Sequence, residues 1–267
     1  MDDVLGRIFA QQWVVFLLTA GLLLALAEAG FRLGLRLHAA KDEARKGQIG
    51  GIQGAVLGLL GLLLGFTFAM AVERYSTRLG LVLQEANSVG TTYLRASLLP
   101  EAHQAPVKDL LRRYVEVRLK YQPLMDDPVK RDEGLRLSTD IQAELWKHAT
   151  EAAKEAPTGI TATFIVALNE TIDSDAKRIA AGRSDIPGGV WLLVVLVAGF
   201  GCVTTSYGAG AHGARTKLAS VFLPMLITVV IVLIFDLSHP RAGMIGISQQ
   251  PLIDLQQSIQ PHQPFDQ

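Results

Sequence analysis

Four long apolar segments divide the chain, and polar stretches separate them. They lie at residues 8–29, 50–73, 187–208 and 217–236, and charged residues bound each one. A helix needs about 20 apolar residues to cross the hydrocarbon core of a bilayer, and each segment reaches that length. We therefore predict four transmembrane helices.

The first segment also has to be compared with a signal peptide, because Ala25-Leu-Ala27 resembles a cleavage site before Glu28. The chain starts with Met1-Asp2-Asp3 rather than with basic residues, and positive charge follows the segment. This order of charges is typical of an anchored helix. We expect the first helix to remain in the protein.

The polar stretch between the second and third segments has the periodicity of amphipathic helices. It holds 16 of the 25 Lys and Arg residues and 17 of the 25 acidic residues within positions 73–185. Its apolar positions recur every three or four residues, so we expect the second helix to continue past the membrane without a break until Pro100 ends it. Pro123 and Pro157 interrupt the rest of the stretch. The pattern predicts an all-α integral membrane protein with an α-helical bundle inserted between transmembrane helices 2 and 3. The predicted domains are 1–73 (helices 1 and 2), 74–185 (extramembrane bundle), 186–237 (helices 3 and 4) and 238–267 (C-terminal tail).

Composition and residue spacing argue against several classes of function. The net charge is zero, so no basic surface argues for nucleic-acid binding. The single cysteine, Cys202, excludes a disulfide framework and a Cys-based zinc site. The six histidines form no His-x-x-x-His or Glu-x-x-His pattern, and no Ser/His/acid set can be assembled from spacing. We predict no enzyme activity, no metal site and no cofactor.

The second segment carries a glycine face. No charged residue occurs from Gly47 to Val72. Small residues at spacings of three and four let transmembrane helices approach closely, and a mid-helix glycine costs about 1 kcal/mol against alanine in water. The spacing predicts a helix-packing face at Gly51, Gly54, Gly58, Gly61 and Gly65.

A second stripe on the same helix suggests a pore. Leu62, Phe66 and Met70 recur every four residues, and Arg74 follows at the helix exit. An oligomer that turns such a stripe toward its axis forms an apolar constriction, which gates by excluding water. Packing against other helices is the alternative interpretation.

Polar residues near the ends of the segments form a third set of candidates. Glu28 lies four residues before Arg32, a spacing that predicts an ion pair. For Glu85 and Asn87, the alternatives are hydrogen bonding between helices of the bundle and a polar ring in a vestibule. For Asp236, they are a capped or salt-bridged carboxylate at the membrane edge and a proton-carrying one. The complete set is Glu28, Glu73, Glu85, Asn87 and Asp236.

These motifs resemble a known membrane family. Gly65-Phe66 and Arg74 before an aromatic residue resemble the second transmembrane helix of bestrophins, the pentameric anion channels. Taken as a whole, the chain is similar to an uncharacterised bacterial bestrophin-like family. The further shared features are Glu28 to Leu33, the Phe-Thr-Phe run at 66–68, Glu85-Ala-Asn87, Asp236, His239 to Gly243, and Pro251 to Leu255.

The resemblance implies a pore neck at Leu62 and Phe66, a homo-oligomer (a pentamer if the bestrophin assembly applies) and inorganic anions as the transported species. It also implies a multi-pass protein of the bacterial plasma (inner) membrane. The alternative function is a non-conducting membrane scaffold or signalling protein whose helical bundle binds a partner.

Two arguments about membrane orientation conflict. The acidic start and basic exit of the first helix favour a cytoplasmic first loop under the positive-inside rule. Bestrophins, by contrast, keep their helical domain in the cytoplasm. On that resemblance we expect the bundle to be cytoplasmic.

Overall fold

The computed structural model describes residues 2–37, 43–124, 127–184, 186–211, 218–239 and 245–260. All regular elements in these ranges are helical, which confirms the all-α prediction. A 3-10 turn, Gln122–Leu124, follows the third helix, and a π-helical turn, Leu218–Phe222, precedes the seventh. The α-helices are α1 (Asp2–Leu37), α2 (Glu43–Ala96), α3 (Glu101–Tyr121), α4 (Pro128–Glu155), α5 (Gly159–Arg183), α6 (Gly188–Ala211), α7 (Leu223–Ser238) and α8 (Gln250–Ile259).

Four of the helical stretches are long and apolar enough to cross a membrane, as the sequence predicts. They are found in the ranges Gln12–Arg36, Gly47–Ala96, Gly159–Ala211 and Ser220–Ser238, of which the third covers the separate helices α5 and α6. The second stretch is much longer than a span requires, because α2 continues without a break past residue 73 to Ala96. Continuation of this helix beyond the apolar segment agrees with the periodicity of the sequence.

Contacts divide the chain into two compact units. Unit 1 comprises Met1–Tyr75 and Asp185–Ile245, and unit 2 comprises Ser76–Ser184 and Gly246–Gln267. The predicted spans lie in unit 1, and helices α3, α4 and α5 lie in unit 2. The inserted bundle between transmembrane helices 2 and 3, its extramembrane position and the four domain boundaries given above stay predictions.

In unit 1, α1 packs against α6 through glycines. A methyl group on Gly30 would lie 2.9 Å from the Cα of Val203, and one on Gly34 would lie 2.9 Å from the backbone nitrogen of Ala211. On the opposing helix, a methyl group on Gly210 would collide with the carbonyl of Phe31. Such contact between backbones is possible only without side chains, as in many helix pairs within bilayers. The buried apolar core beside this contact is formed by Leu23, Ala27, Leu60, Val194, Ala198, Cys202, Ile227 and Ile231.

In unit 2, α3 and α4 form an antiparallel pair. The end of α3 meets the start of α4, where a methyl group on Gly134 would lie 2.7 Å from Tyr121 Cβ. Asp127 caps α4 by accepting hydrogen bonds from the backbone nitrogens of Val129 (2.9 Å) and Lys130 (3.2 Å). The core of the unit includes Val89, Val107, Leu111, Tyr114, Leu145, Phe164 and Leu168, all fully buried.

The C-terminal segment contains a helix that packs into unit 2. Leu252 and Ile259 of α8 are buried, and the carbonyl of Ile259 accepts hydrogen bonds from Arg112 Nε (2.8 Å) and Tyr93 Oη (3.2 Å). The sequence predicts a C-terminal tail at 238–267 and does not indicate this helix within it. A ten-residue helix is marginal by itself in water, so its packing partners decide whether it forms.

Candidate functional site

The proposed neck side chains lie on an open surface of α2. Leu62 is 56% exposed, Phe66 is 63% exposed and Met70 is 37% exposed. Because these residues recur every four positions, they form one continuous apolar stripe along the helix. Their role as pore-lining residues stays a prediction.

The five glycines of α2 also face away from the rest of the chain. A methyl group placed on Gly51, Gly54, Gly58, Gly61 or Gly65 would meet no atom of another helix within 4 Å, as far as the described residues extend. Within unit 1, the described glycines that mediate close approach of helix backbones lie on α1 and α6. A close partner for the α2 glycines is thus not found among the described residues, and their role in helix packing stays a prediction.

A different face of α2 attaches the helix to unit 1. Leu57, Leu60 and Leu64 pack into the unit 1 core. Gln53 Nε2 donates a 2.6 Å hydrogen bond to the carbonyl of Thr204 on α6. This attachment leaves both the glycine face and the apolar stripe outside the core.

The polar candidates of unit 1 occupy different surroundings. Arg32 Nε donates to Glu28 Oε1 at 2.8 Å, which confirms the predicted ion pair. Asp236 is buried and accepts hydrogen bonds from Gln12 Nε2 and from the backbone nitrogen of Ile245, the latter at 3.1 Å. Arg241, which the sequence places near Asp236, lies outside the described residues. At the α2 exit, Glu73 is exposed and Arg74 is half-buried.

Glu85 lies at the centre of a buried charge network in unit 2. Its side chain is completely buried and accepts a 2.8 Å hydrogen bond from Tyr114 Oη. Arg118 Nε lies 2.8 Å from Glu85 Oε1, and Arg118 Nη1 lies 3.0 Å from Asp175 Oδ1. Arg178 also pairs with Glu85. Two carboxylates thus face two guanidinium groups, so the network carries no net charge.

Amide side chains surround the same four charges. Arg178 Nη2 donates to Gln122 Oε1 at 2.9 Å and to Gln249 Oε1 at 2.5 Å. Gln142 Nε2 donates to Asp175 Oδ2 at 2.7 Å. These bonds extend the network from α5 to α4, to the 3-10 turn after α3 and to the residue before α8. Buried charges are stable only when they are paired and hydrogen-bonded, and these amides supply the additional hydrogen bonds.

The charges of the network set the direction of its pKa shifts. The predicted span of α2 ends at residue 73, about 18 Å of helix before Glu85. Burial raises the pKa of Glu85, but the charges of Arg118 and Arg178 outweigh it and hold that pKa below its ordinary value. For Asp175, burial prevails over Arg118 and raises its pKa. Glu85 is therefore the more firmly ionised carboxylate.

Glu85 is among the candidates predicted from the sequence but its partners are not, although the sequence carries a signal for them. Arg118 falls between Tyr114 and Tyr121 on the apolar stripe of α3, and Asp175 falls between Ile172 and Ile179 on that of α5. A charge within an apolar stripe indicates a buried, paired group. Asn87, by contrast, is exposed. A vestibule role for Glu85 and Asn87 stays a prediction.

The structure also joins two histidines that the sequence leaves far apart. His103 Nδ1 and His148 Nδ1 are 3.0 Å apart, one in the first turn of α3 and the other near the end of α4. Spacing along the chain carries no signal for this pair, because 45 residues separate the two positions. Only the antiparallel packing of α3 and α4 brings them together.

Comparison with known proteins identifies the family. The profile of the Bestrophin-like domain matches residues 21–252. A crystal structure of a bacterial bestrophin homologue from Klebsiella pneumoniae carrying the mutation Y211A is similar, with a TM-score of 0.64 and 11% identity over 91% of this chain and 97% of that one.

A second similar structure is that of a membrane protein carrying the mutation P143A, with a TM-score of 0.63 and 13% identity over the same shares of the two chains. At these identities the likeness shows a shared fold. No curated protein sequence matches the chain. Since the profile covers most of the sequence, the chain belongs to the bestrophin-like family.

Proposed function

We propose that the protein is a homo-oligomeric channel for inorganic anions, with α2 lining the pore and Leu62 and Phe66 at its neck. The observation that carries the proposal is the pair of open faces on α2. One presents five glycines and the other a stripe of exposed apolar side chains. The resemblance of α2 to the pore-lining helix of bestrophins and the match to the bestrophin-like family support its placement around a pore.

The two faces of α2 have complementary tasks in an oligomer. Glycines allow helices of neighbouring subunits to approach at van der Waals distance, as they do between α1 and α6 within the chain. Close approach of five such subunits brings the rings of Leu62 and Phe66 near the symmetry axis. Rings of apolar side chains exclude water from a narrow pore and so oppose ion passage until the neck widens.

Arg74 and the bundle complete the proposed channel. Arg74 lies two helical turns beyond Phe66, where a ring of guanidinium groups raises the local anion concentration. The bundle of unit 2 is placed outside the bilayer, in the cytoplasm of the bacterial cell, with unit 1 in the plasma (inner) membrane. The bestrophin likeness supports this arrangement, whereas the acidic start and basic exit of the first helix favour the opposite orientation.

The test measures chloride flux from liposomes that contain purified protein. Phe66→Ala is expected to increase the flux several-fold over the unchanged protein, because removing the ring lowers the barrier to wetting. Phe200→Ala is the matched control. Phe200 is a phenylalanine of nearly equal exposure (64%) on α6, and its truncation is expected to leave the flux unchanged.

Assembly has to be measured on the same samples by light scattering coupled to size exclusion. If the protein assembles normally and neither it nor Phe66→Ala passes chloride above empty liposomes, the channel function is wrong and the scaffold function takes its place. If Phe200→Ala raises flux as much as Phe66→Ala, the channel stands but the neck assignment is wrong.

A further inference from the structure

A cluster of metal-ligating side chains lies between α3 and α4, apart from the α2 surface. His103 is almost buried, with 11% of its side chain exposed, and its Nδ1 is 3.0 Å from His148 Nδ1. The two rings meet edge to face at a centroid distance of 5.3 Å. Two ring nitrogens therefore point toward one another across the helix pair.

Two glutamates of α4 complete the cluster. Glu151 and Glu155 follow His148 at three and seven residues, a spacing that places all three on one face of a helix. One ligand atom from each of His103, His148 and Glu151 lies within 4.8 Å of those of the other two. Glu155 Oε2 lies 3.4 Å from His103 Nε2, on the opposite side of that ring from Nδ1.

We propose that His103, His148 and Glu151 bind a divalent transition-metal ion such as Zn²⁺, and that Glu155 positions His103 from behind. Zinc bonds to imidazole nitrogen are about 2.0–2.1 Å long, so two imidazole ligands on a tetrahedral ion lie roughly 3.3 Å apart. The 3.0 Å between the two Nδ1 atoms differs from that distance by a few tenths of an ångström. The ligand nitrogens are thus already close to the separation that the ion requires.

Glu155 strengthens the assignment because it determines which nitrogen of His103 faces the ion. When Nδ1 binds a metal, the proton of the neutral ring is on Nε2, and that nitrogen faces the Glu155 carboxylate at 3.4 Å. A carboxylate behind a metal-bound histidine is a recurrent second partner that orients the ring and raises its basicity. The helix pair supplies this partner from the same face of α4 as the ligands.

The donor set selects the kind of ion. Two imidazoles and one carboxylate suit zinc and neighbouring transition metals, whereas calcium and magnesium prefer oxygen ligands alone. Three protein ligands leave a fourth position for water on the exposed side of Glu151. Because His103 lies in the first turn of α3 and the other residues lie in the last turns of α4, the ion would link these two helix ends.

The test uses the full-length protein in detergent, freed of any purification tag and of metal, and titrates it with zinc chloride in a calorimeter. We expect one saturable site per chain and a rise in the unfolding temperature on zinc addition, because a ligand that binds the folded state stabilises it. Glu155→Gln should weaken binding by about 10–100-fold. His148→Ala should abolish the saturable site.

Glu144→Gln is the matched control, since Glu144 is an exposed carboxylate on the same helix. It should bind zinc as the unchanged protein does. If His148→Ala does not fold, Glu151→Gln, at an exposed position, serves instead. If His103 and His148 form only a hydrogen bond and bind no metal, the substitutions will change the unfolding temperature but zinc will not. This result would overturn the proposal. Chloride flux is a separate measurement, so failure here leaves the proposed channel unaffected.

Discussion

Each of the two units has its own kind of internal packing. In unit 1, α1 and α6 approach until the backbone of one helix meets the glycines of the other. In unit 2, an apolar core surrounds four paired charges around Glu85. Lipid tails are as apolar as leucine, so helices in a bilayer gain little from burying apolar side chains and depend on close packing. In water the same burial is a main source of stability, and a charge within it must be paired.

The comparison also separates two sets of glycines within unit 1. Gly30, Gly34 and Gly210 have a neighbouring backbone where a side chain would stand, whereas the five glycines of α2 have no such neighbour among the described residues. Both sets look alike in sequence, since each places small residues on a helical face. A glycine face in the sequence therefore indicates close helix packing but does not specify which helix is the partner. Three substitutions test these contrasts, in order of decreasing effect on the folded chain.

The largest effect is expected from Glu85→Gln in unit 2. Removing one member of a buried ion pair leaves Arg118 and Arg178 with too little negative charge, at a cost of about 3–5 kcal/mol in the free energy of unfolding. Chemical denaturation monitored by circular dichroism measures the loss. Asp140→Asn, which removes an exposed partner of Arg136, is the control and should change stability little.

Protonation should mimic this substitution. Because the pKa of folded Glu85 lies below its ordinary value, its contribution is present above the ordinary carboxyl pKa and is lost as pH falls through the folded one. The free energy of unfolding should therefore decrease less on acidification in the Glu85→Gln protein than in the unchanged protein. An equal loss of stability on acidification in both proteins would show that Glu85 is not firmly ionised.

An intermediate effect is expected from Gly34→Ala in unit 1. The added methyl group would lie 2.9 Å from the backbone nitrogen of Ala211 and still closer to the carbonyl of Tyr207, and neither can move without displacing α6. Overpacking of this kind costs about 1–3 kcal/mol. Thermal unfolding in detergent, followed by tryptophan fluorescence, measures the decrease in Tm. An unchanged Tm would mean that α1 and α6 are farther apart than described.

The smallest effect on the folded chain is expected from Gly58→Ala, the matched substitution on the open face of α2. Its methyl group meets no described atom, and alanine favours a helix over glycine by about 0.5–1 kcal/mol in water. The Tm of the chain should therefore stay unchanged or rise. If subunits pack at this face, the added methyl group should reduce the fraction of protein that assembles into oligomers. Gly58→Leu should impair assembly more strongly. Normal assembly of both variants would place the subunit interface elsewhere.

Several features followed from local sequence alone. Four apolar segments of sufficient length predicted the four long helices, since segment length and the thickness of hydrocarbon are directly comparable. The spacing of Glu28 and Arg32 predicted their ion pair, because both residues lie on one face of a single helix. The uninterrupted periodicity after residue 73 predicted the continuation of α2 to Ala96. In each case all the interacting atoms belong to one helix.

Other features depended on contacts between helices that are distant in sequence. Helix α8 is too short to be stable without Leu252 and Ile259 buried in unit 2. Nothing in the spacing of His103 and His148 indicates that antiparallel packing brings them to 3.0 Å. Likewise, the glycines of α1 and α2 differ only in what lies opposite them. Sequence by itself determined which faces of each helix can pack, and tertiary structure decided what each face meets, because partners are chosen by shape and charge across distances that local periodicity does not encode.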